Sequence, residues 1–196
     1  MTMKRQGFRG KFEEVIYVRL NAGDDLLRAI WDICKEYDIK TGILLDATGS
    51  MQTVRLQRFP HEPRPGNTGI DYVEIPGHLE VSAHGIIGMG WVPDRSVTAP
   101  PELMQRRGPS ELDTGFGSMA GFVGHQTPYL HCHITVSSPS QTVCGHLMEG
   151  SLISKNNWNG DTKVSSHFSV AIAKVSGVIL RATWDKDGYY HDIVPA

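Results

Sequence analysis

Apolar positions along this chain recur with two periods, and the switches between them mark the predicted elements. Residues 14–20 contain Val15-Ile16-Tyr17-Val18-Arg19-Leu20, rich in β-branched and aromatic side chains, and predict a strand. Asn21-Ala22-Gly23-Asp24 breaks it, with Asp24 placed to cap the next element. Leu26, Leu27, Ile30, Ile33, Cys34 and Tyr37 then recur at helical spacing, so residues 25–37 predict an amphipathic helix with one core-facing stripe.

Beyond the helix the period becomes two. Residues 39–47 read as a buried strand, Gly49-Ser50 as a turn and residues 52–59 as a returning strand. Residues 60–69 form a loop rich in proline and glycine, residues 70–75 a short strand, and Pro76-Gly77 a turn. Residues 78–87 alternate cleanly. Leu79, Val81 and Ala83 fall on one face, and His78, Glu80, Ser82 and His84 on the other. Residues 88–128 lose this periodicity and become rich in glycine and proline, apart from a short predicted helix over 101–107. A loop of that length inside a compact domain is commonly a lid or a binding loop. Strands resume at 130–137, 143–147 and 151–153, a turn comes at 156–160, and residues 168–174 and 178–184 form a final strand pair bent at Ser176-Gly177. The pattern predicts one α+β domain over residues 1–196, a largely antiparallel sheet with one main helix and a long insertion at 88–128.

Composition narrows the function classes. Hydrophobic residues make up 40% and charged residues 20% of 196, which is ordinary for a globular domain, and the net charge of −2 gives no general attraction to phosphate. No apolar stretch approaches the ~20 residues that span a bilayer, so no membrane partner is expected. The basic residues 1–11 lack the apolar core of a secretory signal. Three cysteines, Cys34, Cys132 and Cys144, argue against a disulfide framework and for the cytoplasm.

The chemistry concentrates in Leu130-His131-Cys132-His133-Ile134-Thr135-Val136. On a strand, Leu130, Cys132, Ile134 and Val136 share the core face, so His131 and His133 share the other and their imidazoles converge. His146, in Cys144-Gly145-His146-Leu147, is a candidate third ligand. Three neutral imidazoles with an open position make a transition-metal site, zinc above all.

These motifs, in this order, resemble the plants-and-prokaryotes-conserved (PPC) domain. The matching pieces are Arg19-Leu20-Asn21-Ala22-Gly23-Asp24-Asp25-Leu26, Thr41-Gly42-Ile43 through Gly49-Ser50, His78-Leu79-Glu80-Val81-Ser82 with Gly85, Leu130-His131-Cys132-His133-Ile134, and Gly145-His146-Leu147. The resemblance implies a compact α+β fold and a homotrimer. Prokaryotic members with the His-x-His and Gly-His-Leu motifs look like metal proteins, which implies His131, His133 and His146 as the ligands of a divalent transition metal here. Plant members follow an AT-hook and bind DNA, but no Arg-Gly-Arg-Pro-like hook occurs in this chain; Arg64-Pro65-Gly66 lacks basic flanks. DNA is therefore a partner not favoured.

An acid or base beside such a metal is expected from Glu80, on the polar face of 78–87 and at a position where the family carries glutamate. His84 is the second candidate, with His78 and His125 behind it. Arg106 and Arg107 in the insertion suit a bidentate grip on a substrate carboxylate, and Arg19 matches a family position near the helix start. The expected function is a metal-dependent enzyme acting on a small anionic or carbonyl-bearing molecule by hydrolysis, hydration or decarboxylation. The alternative is a DNA-binding or regulatory protein without turnover.

Overall fold

A computed structural model describes residues 7–59, 71–91, 126–155, 166–185 and 188–196. In chain order the elements are β1 (Lys11–Arg19), α1 (Leu26–Glu36), β2 (Gly42–Arg58), β3 (Asp71–Gly90), β4 (Pro128–Ser138), β5 (Gln141–Leu147), β6 (Leu152–Ile153), β7 (Ser169–Ser176), β8 (Val178–Asp185) and β9 (Gly188–Pro195). Strands dominate, and α1 is the single helix among the described residues.

The helix forms where its apolar stripe predicts. Leu26, Leu27, Ile30, Ile33 and Cys34 are buried, and the opposite face meets solvent. Its cap is Asp25 rather than the expected Asp24. The Asp25 carboxylate accepts from the Arg28 N–H at 3.0 Å and from the Gly150 N–H at 2.6 Å, tying the helix start to the turn after β5. Asp24 instead accepts from the Asn21 N–H at 2.8 Å, closing the turn before the helix.

The sheet runs in the order β1-β7-β2-β5-β4-β3-β8-β9, with β6 beside β2 and a further β2–β3 pairing. Because β5 also meets the end of β2 at Leu56–Leu147 and Gln57–His146, strands β2, β3, β4 and β5 close into a circuit. Strand length drives this closure. A straight strand of the 20 residues in β3 would reach ~66 Å, too long for a domain of this size, so β2 and β3 coil together with register shifts between Leu44 and Ala47 and between Met51 and Thr53. The turns expected at Gly49-Ser50 and Pro76-Gly77 are therefore bends inside continuous strands. Gly49 and Gly77 take φ values of +148° and +119°, which only glycine adopts without strain, and the chain bends there without leaving the sheet.

The expected final strand pair is also corrected. β7 lies between β1 and β2, whereas β8 runs parallel to the end of β3 and pairs with β9, a strand not predicted from the pattern. The core gathers the buried stripe of α1 into one cluster with Leu44, Leu79, Ile87, Leu130, Cys132, Ile134 and Ile172 of the sheet. The other face carries the histidines. The expected loop at 60–69, most of the 88–128 insertion with its short helix, and the turn at 156–160 lie outside the described residues. No described helix is long and apolar enough to cross a membrane.

Candidate metal centre

Strand alternation sorts β4 as expected. Leu130, Cys132, Ile134 and Val136 are buried, and the Cys132 thiol is pushed up to about 12 by burial, so it stays protonated in the core. His131 and His133 face the other way, joined by His146 from the neighbouring β5, where His133 pairs directly with His146. Each of the three offers a ring nitrogen, and these nitrogens lie within 4.8 Å of one another. The rings of His131 and His133 stack at 5.4 Å, and that of His146 stands across both at 4.9 and 5.5 Å.

Close approach of the strands sets this geometry. On β3, Gly85 pairs with Cys132, and a side-chain carbon there would strike the His131 carbonyl oxygen and come within 2.6 Å of the Cys132 Cα. Only a bare Cα lets β4 lie this close to β3.

The electrostatics favour neutral imidazoles. His146 is lowered to about 3 by burial and then by its histidine neighbours, and His131 to about 4 by burial, His191 and His133. His133, nearest the solvent, is lowered by burial and by His84. The Nε2 of His146 is buried and has no hydrogen-bond partner among the described residues. A buried ring nitrogen left without a partner is costly in a protein and is what a metal ligand looks like before its ion is bound. On this test the residues present fit a divalent transition metal.

Of the other expected site residues, His84 pairs with His133 across β3–β4 and stands at the edge of the cluster. Glu80 lies on the same exposed face, opposite Ser137, four residues or ~13 Å along the strand from His84. Arg19 is exposed at the end of β1, and four strand spacings, ~19 Å, separate β1 from β4 along the chain of pairings through β7, β2 and β3. His78 is exposed farther along β3. Arg106, Arg107 and His125 lie outside the described residues.

Three residues at the site were not foreseen. Tyr129, almost wholly buried on β4, places its hydroxyl 3.1 Å from Nδ1 of His131 and 2.7 Å from Nε2 of His191 on β9. The His191 ring stands edge-on to His131 at 5.1 Å. Gln57 pairs with His146 across β2–β5, and its buried Oε1 has no partner among the described residues. Gln57 stands on a predicted strand, and Tyr129 lies one residue before the strand predicted at 130–137. A cavity of about 480 Å³ beside the end of α1, lined by Cys34, Met89, Trp91 and Arg181 among others, includes none of the histidines.

A curled, mostly antiparallel sheet with one helix and a trihistidine cluster on its outer face defines an α+β domain with a candidate metal centre. The sequence model of the Plants and Prokaryotes Conserved (PCC) domain, also abbreviated PPC, matches residues 8–157, and the chain belongs to that family. Solved structures share its fold. A metal-containing protein from Archaeoglobus fulgidus aligns with a TM-score of 0.61 at 17% identity, covering 95% of this chain and 97% of that one. A PPC protein from Pyrococcus horikoshii gives 0.58 at 16% identity, covering 95% and 94%. A protein from Bacteroides thetaiotaomicron, described as a "putative dna binding protein", gives 0.55 at 16% identity, covering 96% of both. No curated protein matches the sequence.

Proposed function

We infer that the protein is a homotrimeric metalloenzyme in which His131, His133 and His146 hold one divalent transition metal, zinc first, and a small anionic or carbonyl-bearing molecule is the substrate. One observation carries the reading: three neutral imidazoles from adjacent strands converge within 4.8 Å, with a buried His146 nitrogen that nothing else among the described residues satisfies. The description of the Archaeoglobus neighbour as metal-containing agrees with it.

When bound, such a metal supplies Lewis acidity and brings the pKa of a coordinated water to roughly 7, which suits hydrolysis, hydration or decarboxylation. The chain's residues do the rest. His131 and His146 hold their lone pairs free at neutral pH because burial disfavours their charged forms. His84, beside His133, is the nearer group for moving a proton, and Glu80 stands farther along the same face. Arg106 and Arg107 remain the proposed grip on a substrate anion, while Arg19, four strand spacings away on β1, would take part only from a neighbouring subunit. Exposed Val15, Tyr17, Leu45 and Ile86 on the outer face support self-association.

Elemental analysis of protein produced with zinc, iron and manganese available tests the centre. About one transition-metal ion per chain is expected, and His133→Ala should lose it while keeping the oligomer. Protein free of any stoichiometric metal would overturn the reading. A DNA-binding role, suggested by the description of the Bacteroides neighbour, meets a chain of net charge −2 without an AT-hook. Tight, salt-sensitive binding to random duplex DNA would favour that role.

A further inference from the structure

We propose that Tyr129 and His191 are positioning residues that fix which nitrogen of His131 carries its proton, so that the C-terminal hairpin β8–β9 is part of the metal centre. The inference rests on the metal reading of the trihistidine cluster. It starts from one hydroxyl held between two imidazoles. Tyr129 Oη lies 2.7 Å from Nε2 of His191 and 3.1 Å from Nδ1 of His131. A phenol has one proton to give, so with both imidazoles neutral it donates to at most one ring, and where it donates to one it accepts from the other.

Two arrangements place the phenol proton on one of these contacts. In the first, Tyr129 donates to Nε2 of His191 and accepts from the Nδ1–H of His131. Nε2 of His131 is then bare and free to bind a cation. In the second, Tyr129 donates to Nδ1 of His131, whose proton must then sit on Nε2, and that nitrogen cannot ligate. Nδ1, occupied by the tyrosine, is also lost as a donor. Metal binding by His131 therefore excludes the second arrangement and requires Tyr129 to accept from the Nδ1–H of His131, as it does in the first. The distances agree with it, since hydrogen bonds given by hydroxyls run shorter than those given by N–H groups, and the shorter contact is the one to His191.

His191 has a definite part in this. In the first arrangement it presents a bare Nε2 as acceptor, and its edge-on packing at 5.1 Å from His131 and 5.3 Å from Tyr129 holds it there. The arrangement fits a general pattern in which the non-ligating nitrogen of a metal-binding histidine donates to an oxygen that sets its tautomer and orientation. Tyr129 is 2% exposed, so water does not take over the role if the hydroxyl is removed.

Two measurements test the inference. The first needs no metal. In ¹⁵N-labelled metal-free protein at pH 8, two-bond ¹H–¹⁵N correlations report the tautomer of each histidine, and His131 is expected as the Nδ1–H form. In Tyr129→Phe it should shift toward the Nε2–H form that free imidazoles favour. An Nε2–H form of His131 in the unaltered protein overturns the inference whatever the metal affinity. The second measurement is zinc affinity by chelator competition, together with the visible spectrum of the cobalt-loaded protein. Tyr129→Phe and His191→Leu should each weaken zinc binding by about 10- to 100-fold and alter the cobalt bands. His191→Gln, which can return an acceptor oxygen to the tyrosine, should recover most of that loss. The double variant Tyr129→Phe/His191→Leu should be no weaker than Tyr129→Phe alone, because His191 acts through the tyrosine. Zinc binding by Tyr129→Phe equal to the unaltered protein, or equal losses in His191→Gln and His191→Leu, would overturn it. Should Tyr129→Phe fail to fold, the two His191 variants decide. If the unaltered protein binds no zinc or cobalt, the metal reading fails, while the tautomer measurement still judges the hydrogen-bond assignment.

Discussion

His146 shows how far one buried side chain can tie chemistry to stability. Its nitrogen has no partner among the described residues and its imidazole is held neutral down to about pH 3, with His131 held neutral to about 4. Both values lie below the ordinary 6.5, so the unfolded chain takes up protons before the folded one as the pH falls. The stability of the metal-free protein is therefore complete above about pH 6.5 and is lost as the pH drops toward 4 and 3. Between pH 7 and 5 the two histidines should cost the metal-free protein roughly 3 kcal/mol, about 2 of it from His146 and the rest from His131 after discounting for its partial exposure. Urea denaturation at those two pH values measures this. His146→Gln should remove the larger share of the slope, and an unchanged slope would show that His146 is not held neutral. The His-x-His pair was legible in the sequence because alternation needs only neighbouring residues. Tyr129 was not, because a tyrosine beside Leu130 reads as core. His191 was not, because it lies 62 residues from Tyr129 on a strand that the hydrophobic pattern does not mark.

At the level of elements, the centre depends on how closely β3 and β4 lie. Gly85→Ala would drive a methyl group into the His131 carbonyl and the Cys132 backbone, with the Cys132 sulfur 2.8 Å away. Neither neighbour is a flexible side-chain tip, so the strands must separate. We expect a loss of about 1–3 kcal/mol in denaturant unfolding, together with weaker zinc binding, because β4 carries two of the three proposed ligands. Ser82→Ala, on the exposed face of the same strand, should stay within about 0.5 kcal/mol of the unaltered protein in stability. Equal behaviour of the two variants would mean that the approach of β4 to β3 does not shape the centre. The helix was legible because its stripe repeats over three turns, and the strands because they alternate. Their continuity was not. Gly49-Ser50 and Pro76-Gly77 carry the residue types of turns, yet in a curled sheet those residues relieve coiling inside a strand. Pro76 is tolerated because residues 71–79 of β3 pair only with β2 among the described strands, an edge position for proline. Pairing partners were also hidden, since β7 and β8 are adjacent in sequence but join opposite ends of the sheet order.

For the whole molecule, the outer face of the sheet raises the question of what covers it. Cα pairings trace one row from Val15 through Ala173, Ile43 and Ile86 to His131, across five strands. Tyr17, 78% exposed, and Leu45 extend it. In this row Val15 and Ile86 are exposed, Ile43 is half-buried and Ala173 is buried; exposed apolar side chains gathered on one face mark a contact surface, and this row ends at a proposed metal ligand. If the protein is a homotrimer joined through this face, Tyr17→Glu places a charge in the contact and should convert trimer to monomer. Size-exclusion chromatography with light scattering reads the change. All three proposed ligands come from one chain, so the monomer should still bind about one zinc. His133→Ala should do the reverse, losing zinc and staying trimeric. A Tyr17→Glu protein that remains a trimer would remove this face from the interface. One that becomes monomeric and also loses its metal would mean that a neighbouring subunit, reaching the end of the row at His131, completes the coordination that one chain begins.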